Sequence, residues 1–243
     1  MKTLVSLFFA TALSAHAAFD HNHEKFTEVL RENVKNEEVN YAGLKKSPGK
    51  LGTYIENLAD VSKSDFKKWN DDQQIAYLIN LYNAATLKLI IDNYPIKSIR
   101  DIGSPWKQKR VKLFGARVSL DHIEHEILRK DYREPRIHFG VNCASIGCPA
   151  LRPEAFVASR LDSQLDEQAR NFLRDSSKNR LDAKNNTLYL SQIFDWFKED
   201  FVKKSGSVKN FITPYFPAKD QPIIKRDGLK IKNTDYDWSL NKQ

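Results

Sequence analysis

Apolar residues recur at helical spacing near the start of the chain. Phe26, Val29, Leu30 and Val34 share one face and predict a first helix, with a second from about Gly49 to Leu58. The strongest helical pattern runs from Asp71 to Pro95. It is apolar on almost every side, as a buried central helix is. Asp71 and Asp72 put negative charge where a helix start favours it, and Pro95 ends the run. The stretch VKLFGARVSL, Val111 to Leu120, reads as a hairpin closing on Gly115. Ser119 then caps a helix over Leu120 to Lys130. Arg136 to Asn142 reads as a strand with Ile137, Phe139 and Val141 on one face. Pro153 predicts the first turn of a helix reaching about Arg174. Thr187 to Ser191 reads as a strand, and Ser191 caps a helix over Gln192 to Phe201. Helices outnumber strands, and no long strand–helix alternation is present. The expected fold is therefore α+β: a helix-rich single domain with a small, mainly antiparallel sheet.

The first seventeen residues stand apart. Lys2, the apolar run Leu4 to Leu13 and the small-x-small site Ala15-His16-Ala17 have the layout of a signal peptide. The run is shorter than the ~20 residues a membrane anchor needs. The expectation is an exported protein, periplasmic or secreted, with residues 18–243 as one domain and no membrane span in the mature chain. Removal of Lys2 takes the net charge from +8 to +7. Outside the cytoplasm such a charge implies loose attraction to anionic surfaces rather than a nucleic-acid partner. The densest basic stretch, WKQKRVK from Trp106 to Lys112, reads as a solvated loop.

Chemistry concentrates where polar residues interrupt apolar patterns. Glu124 lies within the stripe Leu120, Ile123, Ile127, Leu128, and a buried carboxylate needs a partner. Asp121, His125 and Arg129 follow at steps of four along its edge, so Asp121 or Glu124 can orient His125. Asn80 and Asn83 sit in the central apolar helix, to pin loops or bind a ligand. The two cysteines, Cys143 and Cys148, flank a short loop. In an exported protein they form a disulfide staple, or Cys143 is a nucleophile. An extended Arg136–Asn142 would separate His138 from Cys143 by roughly 16 Å, five steps of about 3.3 Å, so His125 is the expected base. HIEHE, His122 to Glu126, departs from the H-E-x-x-H zinc pattern; no metal and no cofactor are expected.

Five segments resemble the bacterial and plant family called domain of unknown function 547: INLYNAAT (Ile79 to Thr86), SLDHIEHEILR (Ser119 to Arg129), PRIHFGVNCASIGCPALRPEAF (Pro135 to Phe156), LSQIFDWFKEDF (Leu190 to Phe201) and YDWSLN (Tyr236 to Asn241). The resemblance implies that Asn80, Asn83, Glu124, His125, Arg129, Arg136, His138, Cys143, Cys148 and Pro149 belong to the family pattern. His122 stands where it implies an acidic residue. It implies no reaction.

Two functional expectations follow. In the first, the protein is a cysteine-dependent hydrolase or acyltransferase acting on peptide or amide bonds. Cys143 attacks, His125 is the base, and Glu124 or Asp121 orients it. Asn80 or Asn83 and the loop amides of Ala144 to Gly147 hold the oxyanion. Arg129, Arg136, His138 and Ser145 are further substrate-binding candidates. In the second, the protein is a binding or scaffold domain with a structural Cys143–Cys148 disulfide. The substrate or ligand is unknown in both.

Overall fold

The computed structural model describes residues 19–243; the signal-peptide reading of residues 1–17 lies outside them. Helix α5 (Asp71–Asn93) is the centre of the fold. Asn70 caps it: its side chain accepts from the Gln73 amide at 2.9 Å, and the Gln73 side chain accepts from the Asn70 amide at 3.1 Å. Nearly every position of α5 from Ile75 to Ile91 is buried, as the all-round apolar pattern requires. Helices α1 (Glu24–Asn33), α2 (Tyr41–Lys46), α3 (Gly49–Ala59) and α4 (Lys63–Phe66) join it in a first core that contains Phe26, Leu51, Tyr77 and Ile90.

A second core gathers Phe139, Phe172, Phe194, Phe201 and Phe211. Its helices are α8 (Leu161–Arg174), α9 (Ile193–Trp196), α10 (Lys198–Ser205), α11 (Val208–Ile212) and α12 (Gln221–Ile224). The strands are few. β1 (Val34–Lys35) pairs with β2 (Glu38–Val39), and β3 (Val111–Leu113) with β4 (Ala116–Val118), both antiparallel. β6 (Thr187–Leu190) lies between an antiparallel β5 (Arg180–Asp182) and a parallel β7 (Lys230–Asn233). The domain is α+β, helix-rich, with small and mainly antiparallel sheets. No helix among the described residues is long and apolar enough to cross a membrane.

The β3–β4 hairpin turns through Phe114 and Gly115, with φ of 51° and 80°, the left-handed pair that matches strand twist. Three local readings are corrected. Arg136–Asn142 is not a strand: Ile137–Gly140 is a helical turn, α7. Its Ile137 packs with Val141 in the first core and its Phe139 in the second, so the apolar alternation reflects two cores, not one sheet face. The helix after Pro153 starts only at Leu161, preceded by a 3-10 turn over Ala158–Arg160. Side chains hold the intervening backbone instead: Asn80 accepts from the Phe156 amide and Gln164 from the Val157 amide. The helix expected over Gln192 to Phe201 breaks at Phe197 (φ −111°, ψ 22°), which frees that ring to stack on His138.

Candidate active site

Seven residues after Ser119 wind as a π-helix, His122–Leu128, continuing into α6 (Arg129–Asp131). The Arg129 amide donates to the Glu124 carbonyl, five residues back. With more than four residues per turn, steps of four stack along the axis more closely than an α-helix allows. Asp121, His125 and Arg129 form one such column. An Arg129 guanidinium nitrogen lies 3.2 Å from His125 Nδ1, and Asp121 Oδ1 lies 3.9 Å from His125 Nε2. Arginine has no acceptor, so Nδ1 of His125 accepts and its proton sits on Nε2. Leu120, Glu124 and Leu128 form the buried column beside it.

Glu124 is buried, and burial raises its pKa; the Tyr82 hydroxyl donates to it and acts the other way. Its Oε1 lies 3.9 Å from Nδ1 of His138, beyond hydrogen-bond range. His138 is 2 % exposed. Its Nε2 donates to Asp200 Oδ2 at 2.8 Å, and its ring stacks on Phe197 with centroids 3.9 Å apart. Among the described residues its Nδ1 has no hydrogen-bond partner. Burial lowers the His138 pKa, partly opposed by Asp200. Burial would raise the Asp200 pKa, but hydrogen bonds from His138 and Arg129 hold it well below the usual carboxylate range. Arg129 reaches Asp200 through two nitrogens, at 2.6 and 3.2 Å. His138 is therefore neutral, with its tautomer fixed by an ionised carboxylate and one lone pair free.

No disulfide joins the two cysteines in this structure. The loop that carries them starts at a forced turn: Ala144 has φ 61°, a left-handed conformation that costs a non-glycine residue about 1–3 kcal/mol. Asn142 holds it, accepting from the Ala144 amide at 2.9 Å and donating to the Pro149 carbonyl at 2.9 Å. Cys143 Sγ lies 3.1 Å from both Ser145 Oγ and Tyr236 Oη, and the Cys143 amide donates to Cys148 Sγ at 3.1 Å. The neighbouring Cys148 thiol is the largest influence on the Cys143 sulfur. Together with Ser145 and Tyr236 it outweighs burial and lowers the Cys143 pKa to about 7. Burial pushes Cys148 the other way. Cys143, Glu124, His125 and His138 line one cavity of about 250 Å³, on the seam between the two cores.

The helical turn of α7 removes the extended spacing that had set His138 aside: it lines the same cavity as Cys143. Asn80 and Asn83 serve loops instead of the cavity. Asn80 bonds both backbone groups of Phe156, and Asn83 donates to Gly140 O at 2.9 Å and accepts from the Asn142 amide at 2.8 Å. Of the expected oxyanion amides, three are committed, Ala144 to Asn142, Ile146 to Ser239 and Gly147 to Asp237, whereas the Ser145 amide donates to the Cys143 sulfur. Arg136 is held by Glu134, Asp162 and Asp166, away from the cavity. Arg129 lines a different cavity, and Ser145 braces Cys143. Among the described residues no group of three or more His, Cys, Asp or Glu has a metal-binding arrangement. Asp200 and Tyr236 were missed. Asp200 does carry a signal: it falls between Phe197 and Phe201 on the apolar face of its segment, as Glu124 does on its own.

Residues 66–173 match the family model described as a protein of unknown function, DUF547. The chain resembles the DUF547 family. No curated protein and no solved structure matches it. The DUF547 match takes in Asn80, Glu124, His138 and both cysteines, and ends before Asp200, Trp196 and Tyr236. Within it, Gly147 meets the chain end that carries Tyr236. A Cβ there would lie 2.9 Å from the Asp237 nitrogen and 3.0 Å from the Tyr236 ring. Gly147→Ala is expected to cost about 1–3 kcal/mol and to displace Tyr236 from the sulfur. Urea unfolding reads the first effect, and a rise in the pH midpoint of Cys143 alkylation the second.

Proposed function

We propose that the protein is a cysteine-dependent hydrolase or acyltransferase acting on amide bonds, with Cys143 as nucleophile. The observation that carries this reading is the sulfur's setting: donors from Cys148, Ser145 and Tyr236 and a cavity wall around one thiol whose pKa is brought to about 7. A lowered pKa makes the thiolate, the reactive form, easier to reach. The free Nδ1 of His138, fixed by Asp200, supports His138 as the acid–base group in preference to His125, whose Nδ1 already accepts from Arg129.

In this scheme the Cys143 proton passes to His138 Nδ1, and the sulfur adds to the amide carbonyl. The C–N bond then breaks, the leaving amine takes the proton, and a thioester remains. Water or a second amine attacks the thioester, returning a proton to His138 and the electron pair to sulfur. Once acylated, the sulfur carries no charge. The hydroxyls of Ser145 and Tyr236, with the Ser145 amide, are then free to turn toward the carbonyl oxygen.

Iodoacetamide is expected to label Cys143 and spare Cys148 in unreduced native protein, with a half-maximal rate near pH 7, read by peptide mass. A midpoint at the ordinary thiol value of about 8.5 would defeat the reading. The 3.1 Å approach of Cys148 Sγ to the Cys143 amide favours a second reading, the structural disulfide of a scaffold domain. It requires a mass two hydrogens below the reduced chain and no labelling without reductant. Export to the periplasm or medium is part of the proposal. It rests on Lys2, Leu4 to Leu13 and the Ala15-His16-Ala17 site. The exported protein is expected to begin near Ala18; an intact Met1 in that fraction would refute cleavage.

A further inference from the structure

Three of the chain's four tryptophans, Trp106, Trp196 and Trp238, line the cavity beside Cys143. Their rings lean on one another. Trp238 meets Trp106 at 5.8 Å and Trp196 at 5.8 Å between centroids, and Tyr236 at 4.6 Å. Trp196 stays 45 % exposed, although covering a large apolar side chain is favourable. A concave wall of flat rings left open to water is suited to a flat or bulky apolar ligand.

Charge narrows the choice. The chain carries +8, yet among the described residues no lysine or arginine lines this cavity; its ionisable groups there are two thiols, two imidazoles, the Tyr82 and Tyr236 phenols and the carboxyls of Asp121 and Glu124. Arg100 stacks on Trp238 at 5.4 Å without being part of the lining. An entering carboxylate would lose its water with no cation to meet it. An ammonium group would meet Asp121 and the faces of the rings.

Building on the thiol-enzyme reading above, we infer that the cavity selects aromatic amides that are neutral or carry an ammonium group beside the carbonyl, and turns away those that carry a carboxylate. Asp121 and Trp196 are its specificity residues: the one favours the cation, the other the ring.

Calorimetric titration of the Cys143→Ala protein tests this with three probes: L-phenylalaninamide, N-acetyl-L-phenylalaninamide and N-acetyl-L-phenylalanine. The titrations run at about pH 6, below the ordinary α-amino range. The two amides are expected to bind about ten-fold or more tighter than the carboxylate, with the ammonium probe ahead. Trp196→Ala, a change at a half-exposed position, should weaken both amides about ten-fold. Asp121→Asn should remove the lead of the ammonium probe and leave the neutral amide unchanged. The same titrations on the wild-type protein give the ranking on an unaltered fold. Equal binding of the carboxylate, no binding of either amide, or indifference to Trp196→Ala would overturn the inference. Binding is read without turnover, so a failure of the thiol chemistry shows in the alkylation experiment and a failure of recognition shows here.

Discussion

Asp200→Asn is expected to lower turnover by about 10²–10⁴-fold, the range a positioned acid–base group contributes. The neutral amide can offer its N–H to Nε2 of His138 as readily as its oxygen, which lets the ring proton move to Nδ1 and removes the base. Stability should fall as well. Arg129 and His138 would lose an ionised partner at 2.6 and 2.8 Å. Breaking a buried pair costs about 3–5 kcal/mol, and the partial exposure of Arg129 places this one near 3. The pH dependence separates the two effects. The folded-state pKa of Asp200 is depressed, so its contribution is present above the unfolded value of 3.8 and is lost as pH falls through the folded one. His138 is also depressed, so it too withdraws stability on acidification, starting below its ordinary 6.5. In Asp200→Asn the loss below about pH 5 should shrink. Asp200→Glu, which keeps the charge, should recover more stability than turnover. Thermal melts from pH 7 to 2 and single-turnover rates decide it; full turnover in Asp200→Asn would remove His138 from the chemistry.

Asn83→Leu is the second change with a large expected effect, and it acts through the frame. Leucine matches the volume and cannot bond. The Asn142 amide and the Gly140 carbonyl, both buried, would be left unpaired. Each orphan costs about 1–3 kcal/mol, for a total of about 2–6. Because Asn142 also supports the turn at Ala144 and reaches Pro149, the cysteine loop should loosen before the domain unfolds. Cys148, buried in the wild type, should then react with iodoacetamide under native conditions. A urea midpoint within experimental error of wild type would mean that the loop holds without this asparagine.

Much of this arrangement was legible in the chain. The central helix announced itself by being apolar all round, and the asparagines and Glu124 by breaking apolar patterns. Those residues are where the structure has its buried polar contacts, although the asparagines support loops and take no part in the cavity. His138 was misplaced for a physical reason. Its segment is buried from two sides, so the alternation of Ile137, Phe139 and Val141 carries no information about period. A helical turn satisfies both cores. Asp200 lies 62 positions from His138, and only folding brings them together. Tyr236 was visible as part of a terminal motif but not as a donor to sulfur, because a phenol's role depends on what the chain end lies against. The exposed Trp196 needed coordinates to be seen as part of a wall.

The π-helix makes the spacing between Ser119 and Arg129 a matter of counting. An α-helix can lose a surface residue and slide its neighbours by a hundred degrees, with other contacts often absorbing the change. Here the column of Asp121, His125 and Arg129 and the buried column of Leu120, Glu124 and Leu128 both depend on the wider winding. The outer positions, such as Glu126, can vary in identity at little cost, whereas deleting any one of them would tighten the coil and swing Glu124 and Arg129 away from His138 and Asp200. In this stretch, length is under tighter physical constraint than composition.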